Sequence, residues 1–161
     1  MPRWRRLSPS THADSSSMTP AAATWPMRST KAWRTRHGGD SATCLADTSA
    51  LARLSRPAVD AALSPLIEAG NVATCGMVEL EVLFSSRSPD DYARRRQQLR
   101  DGFESLAMPD EVWDRALCVQ AELAGKSAHR GAALPDLLIA ATAERHGVAV
   151  LHCDHEYDVD S

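Results

Sequence analysis

The chain has 161 residues, of which 43% are hydrophobic and 24% charged, and its formal net charge is -3. These values are typical of a globular protein and exclude a chain that is disordered throughout. No apolar run approaches the roughly 20 residues that a membrane-spanning helix requires, so we expect no membrane segment.

The first 40 residues differ in composition from the rest of the chain. They contain seven Arg and Lys residues against two Asp, four prolines and a Ser15–Ser17 run, without helical or strand periodicity. We therefore expect residues 1–40 to be a basic, disordered extension in front of a folded domain. Such a segment could contact nucleic acid through its phosphates, or it could have no function.

From Thr43 onward, short apolar segments alternate with helical patterns. Strands are predicted at 43–46, 71–74, 106–108 and 148–153, and helices at 49–54, 58–69, 76–85, 89–105, 110–124 and 136–146. Pro57 and Pro135 precede predicted helices, and Gly70 and Gly147 follow them. Strands that alternate with helices predict an α/β domain with a parallel sheet over residues 43–161.

The four cysteines lie far apart, and no Cys or His pair has the spacing of a zinc site. The first 40 residues also lack the apolar segment of a secretory signal. We expect the cysteines to be buried and reduced, and the protein to be cytoplasmic.

Several acids lie within apolar sequence. Asp47 and Asp154 each follow a predicted strand directly, and Asp136 and Glu79 lie in apolar helices. Functional groups of an α/β sheet collect past the carboxyl ends of its strands, so these acids are candidates for one site. Each acid also has a local explanation, as a helix cap, a first-turn acid, a turn residue or an exposed helix edge. Periodicity does not choose between Glu79 and Glu81, which point about 200° apart on a helix.

A cluster of carboxylates needs a counterion if its members converge. Mg²⁺ and Mn²⁺ prefer carboxylate oxygens and retain several waters. Such ions activate water and neutralise charge during attack on a phosphodiester. The acids therefore favour the hypothesis of a metal-dependent hydrolase.

Four blocks of sequence resemble the PIN-domain family, and more narrowly the VapC toxins of bacterial type II toxin–antitoxin pairs. They are LADTSAL at 45–51, VEL at 78–80, PDLLIAATA at 135–143 and VLHCD at 150–154. The blocks occur in the family's order between Thr43 and Tyr157. The resemblance implies a three-layer α/β/α domain with a central parallel sheet, and the activity of a metal-dependent endoribonuclease.

The resemblance also assigns site residues. The four acids of the family fall on Asp47, Glu79, Asp136 and Asp154. Mg²⁺ or Mn²⁺ would be held by the three aspartates, and Glu79, which precedes a leucine in an "(A/V)EL" motif, would orient a metal-bound water.

Three further positions are assigned as supporting groups. Thr48 or Ser49 would supply a hydroxyl that hydrogen-bonds the acids, and Asp158 falls where some members carry an extra acid. The adjacent arginines 94–96 could track an RNA backbone, although three neighbouring helical residues point three ways, which favours a solvated face.

The resemblance implies two partners besides the RNA substrate. One is a VapB-like antitoxin, and the other is a second copy of the chain, for which helices between Pro57 and Phe84 could supply the interface. The family usually continues past Asp158 through a helix and a last strand, whereas this chain ends at Ser161. We therefore expect a truncated sheet edge at the C terminus.

Two alternative functions follow. The chain could be a catalytically impaired PIN-like protein that only binds an antitoxin or itself. It could instead use the same metal site as a phosphatase or a DNA nuclease.

Overall fold

A computed structural model of the chain describes the backbone of residues 5–7 and all of residues 42–153. The predicted site residues Asp154 and Asp158 lie outside the described residues. The strands are β1 (Arg5–Leu7), β2 (Cys44–Ala46), β3 (Val72–Cys75), β4 (Glu104–Leu106) and β5 (Ala149–His152). The helices are α1 (Thr48–Ala52), α2 (Pro57–Glu68), α3 (Gly76–Phe84), α4 (Pro89–Gly102), α5 (Asp110–Gly125) and α6 (Leu134–His146).

The strands form one sheet in the order β1-β5-β2-β3-β4. The pairs β5–β2, β2–β3 and β3–β4 are parallel, which confirms the predicted α/β fold with a central parallel sheet. After β4 the chain returns to the other side of β2 to form β5. The strand order therefore reverses between β2 and β5, and their carboxyl ends lie side by side.

The outer edge of β5 is occupied, although the sequence predicted a truncated edge there. β1 pairs antiparallel with β5, with Arg5 opposite His152 and Leu7 opposite Val150. The prediction of disorder was therefore wrong for residues 5–7, where a three-residue segment is too short to show strand alternation. The remainder of the predicted extension lies outside the described residues.

Most helix boundaries follow the local signals that predicted them. Ser88 caps α4 by accepting a hydrogen bond from the Asp91 amide at 3.1 Å, and Gly147 ends α6 with φ 66°. The boundary after α4 was predicted wrongly. The helix ends at Gly102, and the next strand is Glu104–Leu106 rather than 106–108, because Phe103 is extended and buried.

Two groups of apolar side chains form the interior. The larger group packs the sheet against the helices and includes the fully buried residues Leu45, Ala46 and Val78. The smaller group joins α5 to α6 through residues such as Val112 and Leu138. All three residues of β2 are buried and belong to the larger group.

All four cysteines are free, but the expectation of burial holds only for Cys44, Cys75 and Cys153, since Cys118 is exposed. Within the part of the chain that the structure describes, no helix combines the length and apolar character needed to cross a membrane.

The arginines at 94–96 do not form the predicted solvated face, because Arg95 is buried. Its Nε donates to both carboxylate oxygens of Asp91 at 3.1 Å, and its Nη1 donates to Ser85 Oγ at 3.2 Å. Arg94 also bonds Asp91, while Arg96 is exposed. Arg95 therefore joins the end of α3 to α4 and is not available to an RNA backbone.

The carboxylate of Asp91 is held ionised by this arrangement. The Arg87 amide and the Arg95 guanidinium keep the pKa of Asp91 below its ordinary value. Because folding lowers the pKa of Asp91, the ionised carboxylate stabilises the folded chain at pH values above its ordinary pKa. This contribution is lost as the pH falls through the lowered pKa.

Substitution of Arg95 tests this structural role. We expect Arg95→Met to lower the melting temperature by several degrees, because it leaves Asp91 and Ser85 without their shared donor. Arg96→Met is the matched control, and it should change the melting temperature by no more than about 2 °C, as exposed substitutions generally do. Thermal unfolding followed by circular dichroism measures both, and equal effects would contradict the assignment.

Candidate active site

The carboxyl ends of β2 and β5 form the base of the candidate site. Ala46 pairs with Leu151, and the Asp47 amide continues the ladder by donating to the Leu151 carbonyl at 3.0 Å. Asp47 therefore lies beside His152, although 105 residues separate them. In open α/β sheets ligands bind at such a reversal of strand order, past the strand ends.

The side chain of Asp47 accepts three hydrogen bonds. Its Oδ1 accepts from the Thr48 amide at 2.8 Å, and its Oδ2 accepts from the Ser49 hydroxyl at 2.6 Å. His152 Nδ1 lies 2.8 Å from the same Oδ2. Asp47 thus caps α1 and is fixed to β5 at the same time.

The hydrogen bonds keep Asp47 ionised despite its burial. Burial raises the pKa of Asp47, but the hydrogen bonds from His152 and Ser49 outweigh it, and the pKa lies below its ordinary value. A fixed negative charge therefore sits at the end of β2.

Asp136 reaches the same place from the first turn of α6. Burial and the negative charge of Asp47 raise the pKa of Asp136, and a charge on His152 opposes them. The structure thus brings Asp47 and Asp136 together, as the sequence analysis predicted.

The glutamate that joins these two aspartates is Glu81. Its Oε2 accepts a hydrogen bond from the Thr48 hydroxyl at 2.7 Å. Burial raises the pKa of Glu81, and the charges of Asp47 and Asp136 raise it further. Both hydroxyls singled out from the sequence, Thr48 and Ser49, therefore hydrogen-bond carboxylates of the cluster.

The structure places Glu79, the glutamate selected from the sequence, apart from this cluster. Glu79 Oε1 accepts from Ser105 Oγ at 2.7 Å and lies 3.4 Å from Thr74 Oγ1. Thr74 and Ser105 are paired residues of β3 and β4, so the Glu79 carboxylate contacts both strands of that pair. The physical reason is helical geometry, since two residues about 200° apart on α3 cannot face one point.

The burial pattern of α3 explains why the sequence did not separate the two glutamates. The sequence suggested an apolar arc through Met77, Leu80, Leu83 and Phe84. In the structure Leu80 is 64% exposed and Phe84 is 93% exposed, while Val78 and Val82 are buried. The helix is apolar on nearly every side, so its sequence does not reveal which side faces the sheet.

The donor set suits a hard divalent cation. Burial raises the pKa values of Glu81 and Asp136, and the negative charge of Asp47 raises both further. Such carboxylates are stabilised by a cation, and Mg²⁺ and Mn²⁺ prefer oxygen ligands. Within residues 42–153, however, no group of three or more His, Cys, Asp and Glu side chains is arranged so that it could hold a metal ion. Asp154, the other predicted ligand, lies beyond that range.

Sequence reasoning overlooked His152. Its imidazole contacts both Asp47 Oδ2 and Ser49 Oγ, the latter at 3.1 Å. A signal was present, because His152 ends the clearest strand of the chain just before the last predicted acid. Its importance depends on the register of β5 against β2, which the sequence does not specify.

Comparisons with known proteins agree with this fold. Residues 44–159 match the PIN domain family. Ribonuclease VapC21 of Mycobacterium tuberculosis is 43% identical over 114 residues, which cover 71% of this chain and 83% of that protein. Ribonuclease VapC51 of the same species is 44% identical over 115 residues, covering 71% of this chain and 82% of that protein.

A solved structure is similar to the chain in fold. It is a toxin–antitoxin complex from Klebsiella pneumoniae, with a TM-score of 0.53 and 23% sequence identity. The similarity covers 66% of this chain and 82% of that one.

The electrostatic coupling within the site can be measured directly. We expect Asp47→Asn to lower the pKa of both Asp136 and Glu81, because it removes a negative charge that raises them. Carbon-detected NMR titration of the side-chain carboxyls measures both values. Asp114→Asn, an exposed change on α5, is the control and should leave them unaltered. An unchanged Asp136 pKa in the Asp47→Asn protein would show that the two groups are not coupled.

Proposed function

Because the chain belongs to the PIN-domain family, and within it to the VapC-type ribonucleases, we propose that it is a Mg²⁺- or Mn²⁺-dependent endoribonuclease and the toxin of a toxin–antitoxin pair. The RNA phosphodiester is its substrate and water is the nucleophile. We place this activity in the cytoplasm, where RNA and an antitoxin are made.

One observation carries the proposal: Thr48 bonds the carboxylates of both Asp47 and Glu81 at the strand-order reversal of the sheet, where Asp136 arrives from the first turn of α6. Carboxylates at such a position are suited to hold a cation against a phosphate group. The relatives named as ribonucleases support this chemistry over a general metal-binding role.

Each residue has a distinct role in the proposed reaction. Asp47 and Asp136 would hold the ion together with Asp154, and the bound ion would supply charge neutralisation at the phosphodiester and a lower pKa for water. Glu81 replaces Glu79 as the residue that orients the attacking water and accepts its proton. The raised pKa of Glu81 makes its carboxylate a better proton acceptor than an exposed glutamate.

The alternative of a binding-only protein is less well supported. The described residues retain three coupled carboxylates, and the relatives are named as ribonucleases. The comparison of RNA with DNA cleavage below distinguishes the proposed function from a DNA nuclease or a phosphatase that uses the same site, because neither of these would cut RNA alone.

An exposed apolar stripe on α3 is the proposed antitoxin contact. Leu80 and Phe84 are one helical turn apart, and both are largely exposed. Glu81 follows Leu80 on the same helix and lies in the acidic cluster, so a partner that covers the stripe also reaches the site. This continuity with the site favours an inhibitory antitoxin as the occupant over a second copy of the chain.

Cleavage of labelled RNA tests the proposed function. The purified chain should cut RNA, but not DNA of the same sequence, in Mn²⁺ or Mg²⁺, and EDTA should abolish cutting. Asp136→Asn should reduce the rate at least about 100-fold, because the loss of a charge-stabilising ligand costs several kcal/mol and about 1.4 kcal/mol is tenfold.

A pair of glutamate variants distinguishes the two acids of α3. Glu81→Gln should lower the rate about 100-fold or more, as expected when a general base is lost. Glu79→Gln should stay within a few-fold of wild type, because an amide retains the hydrogen bond from Ser105. Circular dichroism shows that each variant is folded. A folded wild-type protein that cuts no RNA would contradict the proposed function.

The apolar stripe is tested by the mass of the free protein in solution. We expect a monomer by light scattering after size-exclusion chromatography, which leaves the stripe open to an antitoxin. A dimer that Phe84→Ser dissociates, and that Leu117→Ser on α5 does not, would assign the stripe to a second copy instead. Leu117 is the matched control because it is likewise a large apolar residue on a helix, with 63% of its surface exposed.

A further inference from the structure

The backbone pairing between β2 and β5 places the His152 imidazole beside Asp47. The strand pairing places Leu151 opposite Ala46, and the Asp47 amide bonds the Leu151 carbonyl at 3.0 Å. His152 is the next residue of β5, and its side chain is 38% exposed against 14% for Asp47. The contact between them therefore does not depend on a mobile loop.

Hydrogen bonds occupy one oxygen of Asp47 more completely than the other. An ionised carboxylate has about four acceptor positions, two on each oxygen. Oδ2 receives both the Ser49 hydroxyl at 2.6 Å and His152 Nδ1 at 2.8 Å. Oδ1 receives only the Thr48 amide at 2.8 Å among these contacts. The acceptor position that remains is on Oδ1.

The proton positions follow from the same geometry. The Ser49 hydroxyl has one proton, which it donates to Asp47, and its oxygen accepts the Cys153 amide at 3.3 Å. His152 must carry a proton on Nδ1 to bond the ionised Asp47. Ser49 and His152 therefore act as a pair of donors that orient the same carboxylate oxygen.

We propose that His152 is a positioning residue that holds Asp47 Oδ2 through Nδ1–H, so that Asp47 presents Oδ1 alone as its ligand atom for the divalent cation. This inference rests on the proposed function, because it concerns the cation of that same site. Loss of a group that orients a metal-binding carboxylate in this way typically weakens metal affinity by roughly 10- to 100-fold.

Two substitutions separate this role from a general need for a polar side chain. In His152→Asn the amide nitrogen lies near the position of Nδ1 and retains the donor. In His152→Gln the donor lies farther along the side chain, near the position of Nε2. Both replacements are neutral and polar, so they differ mainly in where the donor is placed.

The measurement is Mn²⁺ affinity, from the electron paramagnetic resonance signal of free Mn²⁺ in titrations without RNA. We expect His152→Gln to weaken Mn²⁺ binding by about 10- to 100-fold and His152→Asn to stay within a few-fold of wild type. Circular dichroism of the metal-free proteins shows that they are folded, and His152→Ala replaces His152→Gln if that variant unfolds.

The outcomes distinguish this inference from the function on which it rests. Wild-type binding of Mn²⁺ that Asp136→Asn abolishes establishes the metal site independently of His152. If His152→Gln then binds as tightly as wild type, the positioning role is overturned and the metal site stands. If the wild-type protein binds no Mn²⁺, the metal-dependent function is overturned, and the role of His152 with it.

Discussion

The parallel register between β2 and β5 is the constraint on which the site depends. Three backbone pairings fix it, and the Asp47 amide extends it by one further hydrogen bond. A shift by one residue would turn the side chain at the end of each strand to the opposite face of the sheet. Asp47 and His152 would then no longer meet.

The site uses unequal environments to give its carboxylates different tendencies to ionise. Asp47 has three hydrogen-bond donors and a lowered pKa, whereas burial and the charge of Asp47 raise the pKa values of Asp136 and Glu81. Titratable groups whose pKa values are separated by their environments in this way mark the acid, base and ligand roles of many enzymes. Here the permanently charged member is at the strand end, and the members with raised pKa values come from helices.

Local signals in the sequence were sufficient for most of the fold. Apolar segments marked β2, β3 and β5, and prolines and glycines marked helix ends such as those at Pro57 and Gly147. The failures share a different cause. The pairing of Arg5–Leu7 with β5, the burial of Arg95 and the position of β4 all depend on tertiary contacts that no short segment encodes.

The site, like the fold, could be predicted only as far as local sequence signals define it. Asp47 and Asp136 could be identified because each is an acid in an apolar setting at a strand or helix end. The choice between Glu79 and Glu81 required the rotation of α3 about its axis, which is set by the burial of Val78 and Val82. His152 required the β2–β5 register, which joins residues more than a hundred positions apart.

The two glutamates of α3 show how two similar acids of one helix enter different surroundings. Both are half-buried and both accept a hydrogen bond from a hydroxyl, so they are chemically alike. Glu79 accepts a hydrogen bond from Ser105 of β4, and its contact joins sheet to helix. Glu81 instead lies within reach of two other carboxylates, and the repulsion among them is a cost to the folded chain that a bound cation would offset. The two acids therefore differ less in their own chemistry than in the side chains that surround them.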